Sequence, residues 1–472
     1  MGRATIKSGT INLLNTIIGA GILAMPFGLK SNGLVFGCVL IVWSSLTSSF
    51  GLYLQNKVAK YTQQQGAVSY FSLAQLTYPQ LSILFDSAIS IKCFGVGVSY
   101  LVVIGDLMPK IMESINVDPE SLLMQRNLWI TIFMVALVVP LSYLKKLDSL
   151  KYTSVVALFS ILYLICLVIE HYVANDIPIE NKNIEIFGPI SLKDTLKSFP
   201  IFVFAYTCHQ NMFAIINELK PSDTDGSQTR QSNLIIRNAL TTACSSYLVV
   251  GIIGYLSFGA TANGNIITMY PKDSISSLIG RLCIVVMVAF SFPLQCHPCR
   301  GSINHVIHFV TVGISTSKVR QSQQREGYTS LQSDIESLNS ISAESVQDES
   351  FISTTPMEGA QDTDGHDPII VPLTSKRFYI ITTVIVVASY LVAITVTSLE
   401  HVLAFVGSTG STSISFILPG LFGYMLIKPI NGASKLNKIE LFSKYGGLAL
   451  SIWGVIVMIV CLSATLFLGA TH

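Results

Sequence analysis

Charged residues are scarce in this chain. They make up 12% of its 472 residues, whereas an average soluble domain has about 25%. Hydrophobic residues make up 50%, and the mean hydropathy is +0.58. A chain with so little charge cannot cover a large water-facing surface. Most of it is therefore expected to lie in a lipid bilayer.

Signatures of enzymes and of secreted domains are also missing. The sequence has no phosphate-binding loop, no nucleophile–base pattern and no Asn-x-Ser/Thr glycosylation sequon. Its nine cysteines are an odd number and lie in or at the ends of apolar runs, which does not indicate a disulfide framework. The net charge of +2 comes from scattered basic residues and gives no sign of nucleic-acid binding. We therefore predict a protein that is not an enzyme and has no cofactor or metal ion.

Long hydrophobic runs are what the chain does have. A transmembrane helix needs about 20 predominantly apolar residues. Eleven runs meet this requirement, eight of them in residues 1–313 and three in residues 374–472, which predicts an all-α membrane protein. The predicted spans are 8–28, 33–56, 82–108, 127–145, 152–174, 195–218, 234–259, 275–299, 378–398, 402–427 and 443–468.

The basic residues predict the orientation of these spans. Cytosolic loops of membrane proteins carry an excess of Lys and Arg. With a cytosolic N-terminus, twenty basic residues fall in or beside cytosolic loops, seven on the other face and two inside spans. We therefore predict that the N-terminus is cytosolic. Because the number of predicted spans is odd, the C-terminus is then expected on the opposite, lumenal side.

Residues 314–373 differ from the rest of the chain. They contain sixteen Ser or Thr, ten acidic and three basic residues. Low hydrophobicity with a strong net negative charge predicts a disordered cytosolic loop. Within it, the segment Tyr328–Leu331 fits a tyrosine-based signal for a sorting adaptor, although four-residue patterns of this kind also arise by chance.

The first span contains two glycines, Gly19 and Gly21, separated by one residue. Glycine weakens a helix by about 1 kcal/mol relative to alanine. A broken helix at membrane depth is tolerated only where its backbone is buried in protein or lines a cavity. We predict a break here that belongs to a binding site. The alternative is close helix packing through small residues.

The sixth span carries a polar run, Thr207–Asn211, in its middle. Such a run is costly in hydrocarbon unless it faces a cavity or a partner. Interrupted segments in corresponding positions of two halves mark the binding site of many secondary transporters. The first and sixth spans are five apart, which fits a five-plus-five inverted repeat with the eleventh span appended.

Several separate motifs resemble the amino acid/auxin permease family, most closely its fungal vacuolar amino-acid transporter branch. They are spread over nearly all of the membrane portion, and only residues 314–373 lie outside the resemblance. The motifs are Asn15–Pro26, Ile91–Asp106, Phe204–Phe213, Phe292–Arg300 and Gly407–Gly420. The resemblance implies the leucine-transporter-like fold, with five-plus-five inverted repeats and broken helices 1 and 6. It also implies ion-coupled movement of amino acids.

The two breaks suit the two charged groups of an amino acid. Exposed amides at a helix start favour a carboxylate, and carbonyl groups at a helix end can accept hydrogen bonds from an ammonium. Glycine also lets the backbone approach a ligand closely. The predicted substrate-binding residues are Ile18, Gly19, Ala20, Gly21, Ile22, Phe204, Ala205 and Tyr206.

Three residues are candidates for the coupling-ion site. By resemblance to sodium-coupled members of the family, Asn15 and Ser291 occupy the positions of cation ligands, although Asn15 would serve equally well as a helix-packing hydrogen bond. His209 can change its charge at physiological pH, which makes it a candidate proton relay. A neutral histidine bonded to the backbone is the alternative. An acidic lumen would supply a proton gradient, so H⁺ is favoured over Na⁺.

Other ionisable residues lie within or near the spans. Lys92 could face the side chain of a substrate, pair with Asp86 or reach the cytosolic interface. Asp106 is expected to pair with Lys110, four residues further along the same helix. Arg281, near the start of the eighth span, is expected to reach the lumenal interface.

These observations predict a secondary active transporter of amino acids in the vacuolar membrane. Proton coupling is favoured, and transport from the lumen to the cytosol is one direction that it would allow. An amino-acid sensor or docking protein that signals through residues 314–373 is the alternative.

Overall fold

The structure is a computed structural model that describes residues 5–59, 68–78, 81–144, 153–177, 183–189, 191–219, 229–337, 373–428 and 436–467. These ranges contain sixteen α-helices, which are joined by loops or by short 3₁₀- and π-helical stretches. The helices are α1 Ile6–Ile17, α2 Met25–Asn32, α3 Leu34–Ala59, α4 Tyr70–Thr77, α5 Ser82–Ser114, α6 Arg126–Phe133, α7 Val139–Ser142, α8 Thr153–Ala174, α9 Leu192–Ala205, α10 His209–Glu218, α11 Thr229–Phe258, α12 Ile275–Ser337, α13 Ser375–Thr395, α14 Leu399–Val406, α15 Leu418–Leu426 and α16 Lys438–Phe467.

The helices confirm the predicted class of an all-helical membrane protein. Within the described ranges, nine helical segments are long and apolar enough to cross a bilayer, or ten when the bent pair α1 and α2 counts as one span. The remaining predicted span, 127–145, corresponds to the shorter apolar segment Arg126–Ser142. The count of eleven spans and the inverted repeat stay predictions.

Prolines account for two irregular stretches in these helices. A proline has no N–H, and its ring crowds the carbonyl group four residues earlier. Pro140 and Pro419 each follow a π-helical stretch by two residues, and these stretches are Met134–Val138 and Ser413–Ile417. The wider π-turn accommodates the missing hydrogen bond without ending the helix.

The most deeply buried segments lie at the centre of the molecule. In α5 and in the combined segment Leu192–Glu218, 89% of the most apolar window is buried, compared with 33% in α16. These central segments contain the predicted site residues Lys92, Ala205 and His209, whereas α16 lies on the periphery. The core is therefore formed around the elements that carry the polar residues.

Helix α12 continues beyond the predicted end of its span at residue 299 and ends at Ser337. Residues 314–337 of the predicted loop therefore belong to this helix, and residues 338–372 lie outside the described part of the chain. The side chains of Tyr328–Leu331 lie outside it as well. The predicted disorder and the sorting signal stay predictions.

The predicted ion pair between Asp106 and Lys110 is wrong. Lys110 instead pairs with Glu113 at 3.0 Å, one turn further along. Asp106 Oδ1 lies 3.3 Å from Nε of Arg126, at the start of α6. The same guanidinium also donates to two carbonyl groups at the end of α13, at 3.0 and 2.9 Å. Three helices are thus tied together by one partly buried cation, whose position is set by tertiary packing.

Arg281 is buried near the start of α12, and its predicted place at the lumenal interface stays a prediction. Its side chain is 1% exposed and donates to the carbonyl groups of Ile267 and Tyr270 and to Oγ of Ser114. Tyr270 lies in the connection between α11 and α12, where burial raises the pKa of its hydroxyl group. Arg281 therefore fixes this connection against the end of α5 and does not extend to water.

Candidate functional site

The first predicted break is confirmed. Helix α1 ends at Ile17, a 3₁₀-turn covers Ala20–Ala24, and α2 begins at Met25. The two helices are bent by 48° relative to each other. The whole 3₁₀-turn is buried. Its first amides have no partner within the turn, because a helix start always leaves donors without an intrahelical acceptor.

The sixth predicted span is interrupted at its polar run. Helix α9 ends at Ala205 and α10 begins at His209. The N–H of Thr207 donates to the carbonyl group of Phe204 at 3.1 Å, which closes the end of α9. The three residues between the helices, Tyr206 to Cys208, are at most 2% exposed. The carbonyl groups at the end of α9 are therefore buried near the centre of the protein.

The two breaks lie in direct contact. A Cβ atom on Gly21 would lie 2.9 Å from both Cα and Cβ of Ala205, closer than real Cβ atoms approach. A Cβ on Gly19 would lie 3.2 Å from the hydroxyl oxygen of Tyr100 on α5. Gly21 therefore allows a close approach that a larger residue would prevent, whereas a larger residue at position 19 would require Tyr100 to shift by a few tenths of an ångström. The structure thus brings together the two groups of substrate-binding residues that the sequence predicts.

Tyr247 on α11 joins the two breaks. Its hydroxyl group lies 2.8 Å from the carbonyl oxygen of Ile17 and 2.8 Å from that of Ala205. The two acceptors belong to the last residues of α1 and α9. The sequence analysis did not select Tyr100 or Tyr247. A tyrosine in an apolar span needs a partner for its hydroxyl group, but only the tertiary structure shows which partner it has.

Several buried polar atoms near the second break have no hydrogen-bond partner among the described residues. They are Nδ1 of His209, both amide atoms of Gln210 and Oε1 of Gln55 on α3. Buried polar groups are almost always paired with protein, water or a ligand. These four atoms are therefore available to water or to a polar ligand. Residue Gln55 was not selected from the sequence, because a polar residue near the end of a predicted span does not by itself indicate a site.

His209 is held by its neighbours on α3. Its Nε2 lies 3.2 Å from the carbonyl oxygen of Ser48, and its own carbonyl group accepts from Nε2 of Gln55 at 3.2 Å. The side chain is completely buried. A neutral imidazole with its proton on Nε2 satisfies this geometry. The arrangement agrees with the alternative of a neutral histidine bonded to the backbone, and the relay role stays a prediction.

Asn15 and Ser291 have separate partners. The amide nitrogen of Asn15 lies 3.2 Å from Oγ of Ser154 on α8. The hydroxyl group of Ser291 donates to the carbonyl group of Met287, one turn earlier in α12, at 2.7 Å. The first contact joins α1 to α8, whereas the second lies within α12. Their predicted role as ligands of the coupling ion stays a prediction.

Lys92 is buried in α5, with 2% of its side chain exposed, so it does not reach the cytosolic interface. Asp86 is not its partner, because this carboxylate lies 3.3 Å from Nδ1 of His305. Within the described ranges, Lys92 has no ion pair and no side-chain hydrogen bond. Its charge lies within electrostatic reach of Cys208 and His209, which places it beside the second break. Those ranges contain no group of three or more His, Cys, Asp or Glu side chains that could hold a metal ion.

Comparison with known proteins identifies the family of this chain. The model of the transmembrane amino acid transporter protein family matches residues 2–460. The chain belongs to this family. It is 45% identical to vacuolar amino acid transporter 6 of Saccharomyces cerevisiae, over 99% of this chain and 100% of the relative. It is 40% identical to vacuolar amino acid transporter 5 of the same yeast, over 99% of both chains.

More distant relatives cover less of the chain. A putative sodium-coupled neutral amino acid transporter 11 of Bos taurus is 27% identical over 66% of this chain and 67% of the relative. The protein is therefore an amino acid transporter of the vacuolar branch, and it is a multi-pass membrane protein. The family consists of transporters and not of enzymes, which agrees with the sequence analysis.

Proposed function

We propose that this protein is a secondary active transporter that moves amino acids across the vacuolar membrane, coupled to protons. The observation that carries this proposal is the contact between Gly21 in the first break and Ala205 in the second. Two helix ends and one helix start meet there at the centre of an apolar bundle. This combination offers acceptors for an ammonium and donors for a carboxylate. Both sets of groups lie at a depth where the protein shields them from water and from lipid.

The amides of Gly19, Ala20 and Gly21 would bind the carboxylate of the substrate, whereas the amide of Ile22 already donates to the carbonyl group of Gly19 at 3.3 Å. The carbonyl groups of Phe204, Ala205 and Tyr206, with Ile18 at the neighbouring helix end, would accept the ammonium. The side chain of the substrate would then extend towards α5, where Lys92 has no anionic partner among the described residues. The two interrupted segments lie five apart in the predicted order of spans, which supports a five-plus-five inverted repeat with the first and sixth spans in equivalent positions.

The coupling ion is proposed to be H⁺. An acidic lumen supplies a gradient that drives amino acids from the lumen to the cytosol by symport. Sodium is the second candidate, because three distant relatives carry sodium-coupled names. Asn15 and Ser291 would then contribute neutral oxygen ligands, which suit a hard cation. His209 would relay a proton only if its imidazole changes charge during transport.

The proposed location is the vacuolar membrane, because the two yeast relatives that cover nearly the whole chain have vacuolar names. The excess of Lys and Arg on one side supports an N-terminus in the cytosol and a C-terminus in the lumen. Residues 314–373, including Tyr328–Leu331, would then be accessible to cytosolic sorting adaptors.

Flux measurements in liposomes test this proposal. Purified protein is reconstituted with an acidic interior, and efflux of each labelled amino acid is followed with and without a protonophore, in sodium-free buffer. We expect efflux that collapses with the pH gradient. Efflux that requires sodium and ignores the protonophore would contradict proton coupling. Binding of an amino acid without any flux would contradict transport and support a sensor.

A further inference from the structure

The position of Tyr247 between the two helix ends has a consequence for substrate recognition. In an unbroken helix, the carbonyl group of Ile17 would accept the amide of Gly21, and that of Ala205 would accept the amide of His209. The breaks remove both bonds. The hydroxyl group of Tyr247 lies 2.8 Å from each of the two freed carbonyl oxygens.

The close approach of α11 to the first span makes this contact possible. One turn beyond Tyr247, a Cβ on Gly251 would already lie 3.4 Å from side chains of α2. Two turns beyond it, a Cβ on Gly254 would lie 2.5 Å from Cγ of Pro26. These two glycines lie on the same face of α11 as Tyr247, because their spacings are four and seven residues. The tyrosine is thereby fixed at the level of the break, and it is completely buried.

A phenol has only one proton to donate, and two carbonyl groups compete for it. Each carbonyl is the last of its helix and carries the partial negative charge of the helix dipole. Without a donor between them, the two helix ends would repel each other. With Tyr247 in place, both oxygens point at one position, and at least one of them keeps an unused acceptor site. An ammonium, with three donors and a full positive charge, complements such a pair.

We infer that Tyr247 is a positioning residue that holds the carbonyl groups of Ile17 and Ala205 together as the receptor for the α-ammonium of the substrate. This inference rests on the proposed function, because it assumes an amino acid between the breaks. In this role Tyr247 favours a ligand that carries a cationic donor group at this end. It would act through the two carbonyl groups and not by closing a gate.

The test compares an amino acid with its α-hydroxy acid, which has the same side chain and carboxylate but no ammonium. Tyr247→Phe removes only the hydroxyl group. We expect the KM for the amino acid to rise about tenfold, the loss of one charge-assisted hydrogen bond. The KM for the hydroxy acid should change less than about twofold. Both ligands are measured as unlabelled competitors of the same labelled amino acid in liposomes. The inhibition constant of each competitor is taken as its KM.

Tyr255→Phe is the matched control. Tyr255 lies on the same helix and is 1% exposed, and its hydroxyl group accepts from the amide of Glu185 at 2.9 Å, away from the breaks. This variant should keep the preference of the wild-type protein for the amino acid. If Tyr247→Phe does not fold, Tyr247→Met replaces it, because methionine fills irregular apolar space without a hydroxyl group.

The possible results separate the two proposals. Wild-type protein without amino-acid flux contradicts the proposed function itself. Flux in the wild type, with a Tyr247→Phe variant that keeps the wild-type ratio of the two KM values, contradicts only the role of Tyr247. An equal rise of both KM values would also overturn it, because a purely structural defect weakens both ligands alike. A selective loss of the amino preference supports it.

Discussion

The backbone of Gly21 lies directly against Ala205, so that a Cβ on this glycine would lie 2.9 Å from both Cα and Cβ of Ala205. This contact explains why position 21 is glycine, whereas the residue before it, Ala20, can carry a methyl group. The glycine weakens the helix locally and allows the second break to approach.

We expect Gly21→Ala to abolish most transport. The added methyl group must displace the Ala205 backbone, and overpacking of this kind costs about 1–3 kcal/mol. Initial rates of amino-acid flux in liposomes should fall at least about fivefold, since 1.4 kcal/mol corresponds to a factor of ten. Gly301→Ala is the control, because a Cβ at Gly301 has no atom within 4 Å. Equal rates for the two variants would contradict the close approach.

The pair Asn15 and Ser154 allows the packing role of Asn15 to be separated from an ionic one. Their side chains lie 3.2 Å apart and join α1 to α8. If Asn15 acts by packing, Asn15→Ala and Ser154→Ala should each destabilise the protein by about 1 kcal/mol. The double variant should then be no worse than either single one, because both changes remove the same contact. Thermal unfolding in detergent measures the effect.

An ionic role of Asn15 gives a different result. Asn15→Ala would then change the dependence of flux on H⁺ or Na⁺ concentration, while Ser154→Ala would leave that dependence unaltered. Flux measured at several pH values and sodium concentrations distinguishes the two cases. The same comparison for Ser291→Ala tests the second predicted ligand.

His209→Ala should keep the wild-type pH dependence of transport while it lowers stability. The imidazole is completely buried and fits a neutral state that donates to the carbonyl group of Ser48. Its removal leaves a cavity and takes one hydrogen bond from the carbonyl group of Ser48, which lies inside α3; this costs about 1–3 kcal/mol. His401→Ala, on an exposed part of α14, is the control. A loss of pH dependence in His209→Ala alone would instead establish a proton relay.

Lys92→Met should reduce transport of acidic amino acids more than transport of neutral ones. The ammonium is 2% exposed, and within the described ranges it has no anionic partner, so an anionic substrate side chain would supply one. Replacement of a buried charge by an apolar side chain of similar size should leave the melting temperature equal or raise it. Lys193→Met, on the exposed first turn of α9, is the control. An equal loss for acidic and neutral substrates would exclude a contact with the substrate side chain.

The sequence by itself determined the membrane class and the position of most helices. Hydrophobic length fixes where a helix can cross a bilayer, because backbone groups in lipid must be satisfied within the segment. It also located the break at Gly19 and Gly21, since helix propensity is a local property. The polar run around His209 could be recognised for the same reason. A polar side chain in an apolar span is detected from the local sequence and does not depend on the tertiary contacts.

Only the tertiary structure decided which of these residues meet. Asp106 pairs with Arg126 and not with Lys110 because α6 packs beside α5. The contact of Gly21 with Ala205, and the link that Tyr247 makes between Ile17 and Ala205, join residues from three different helices. Such long-range contacts depend on the angle and depth of helix packing, which no local pattern specifies. The sequence thus indicated two breaks, and the packing of α11 against both made them one candidate site.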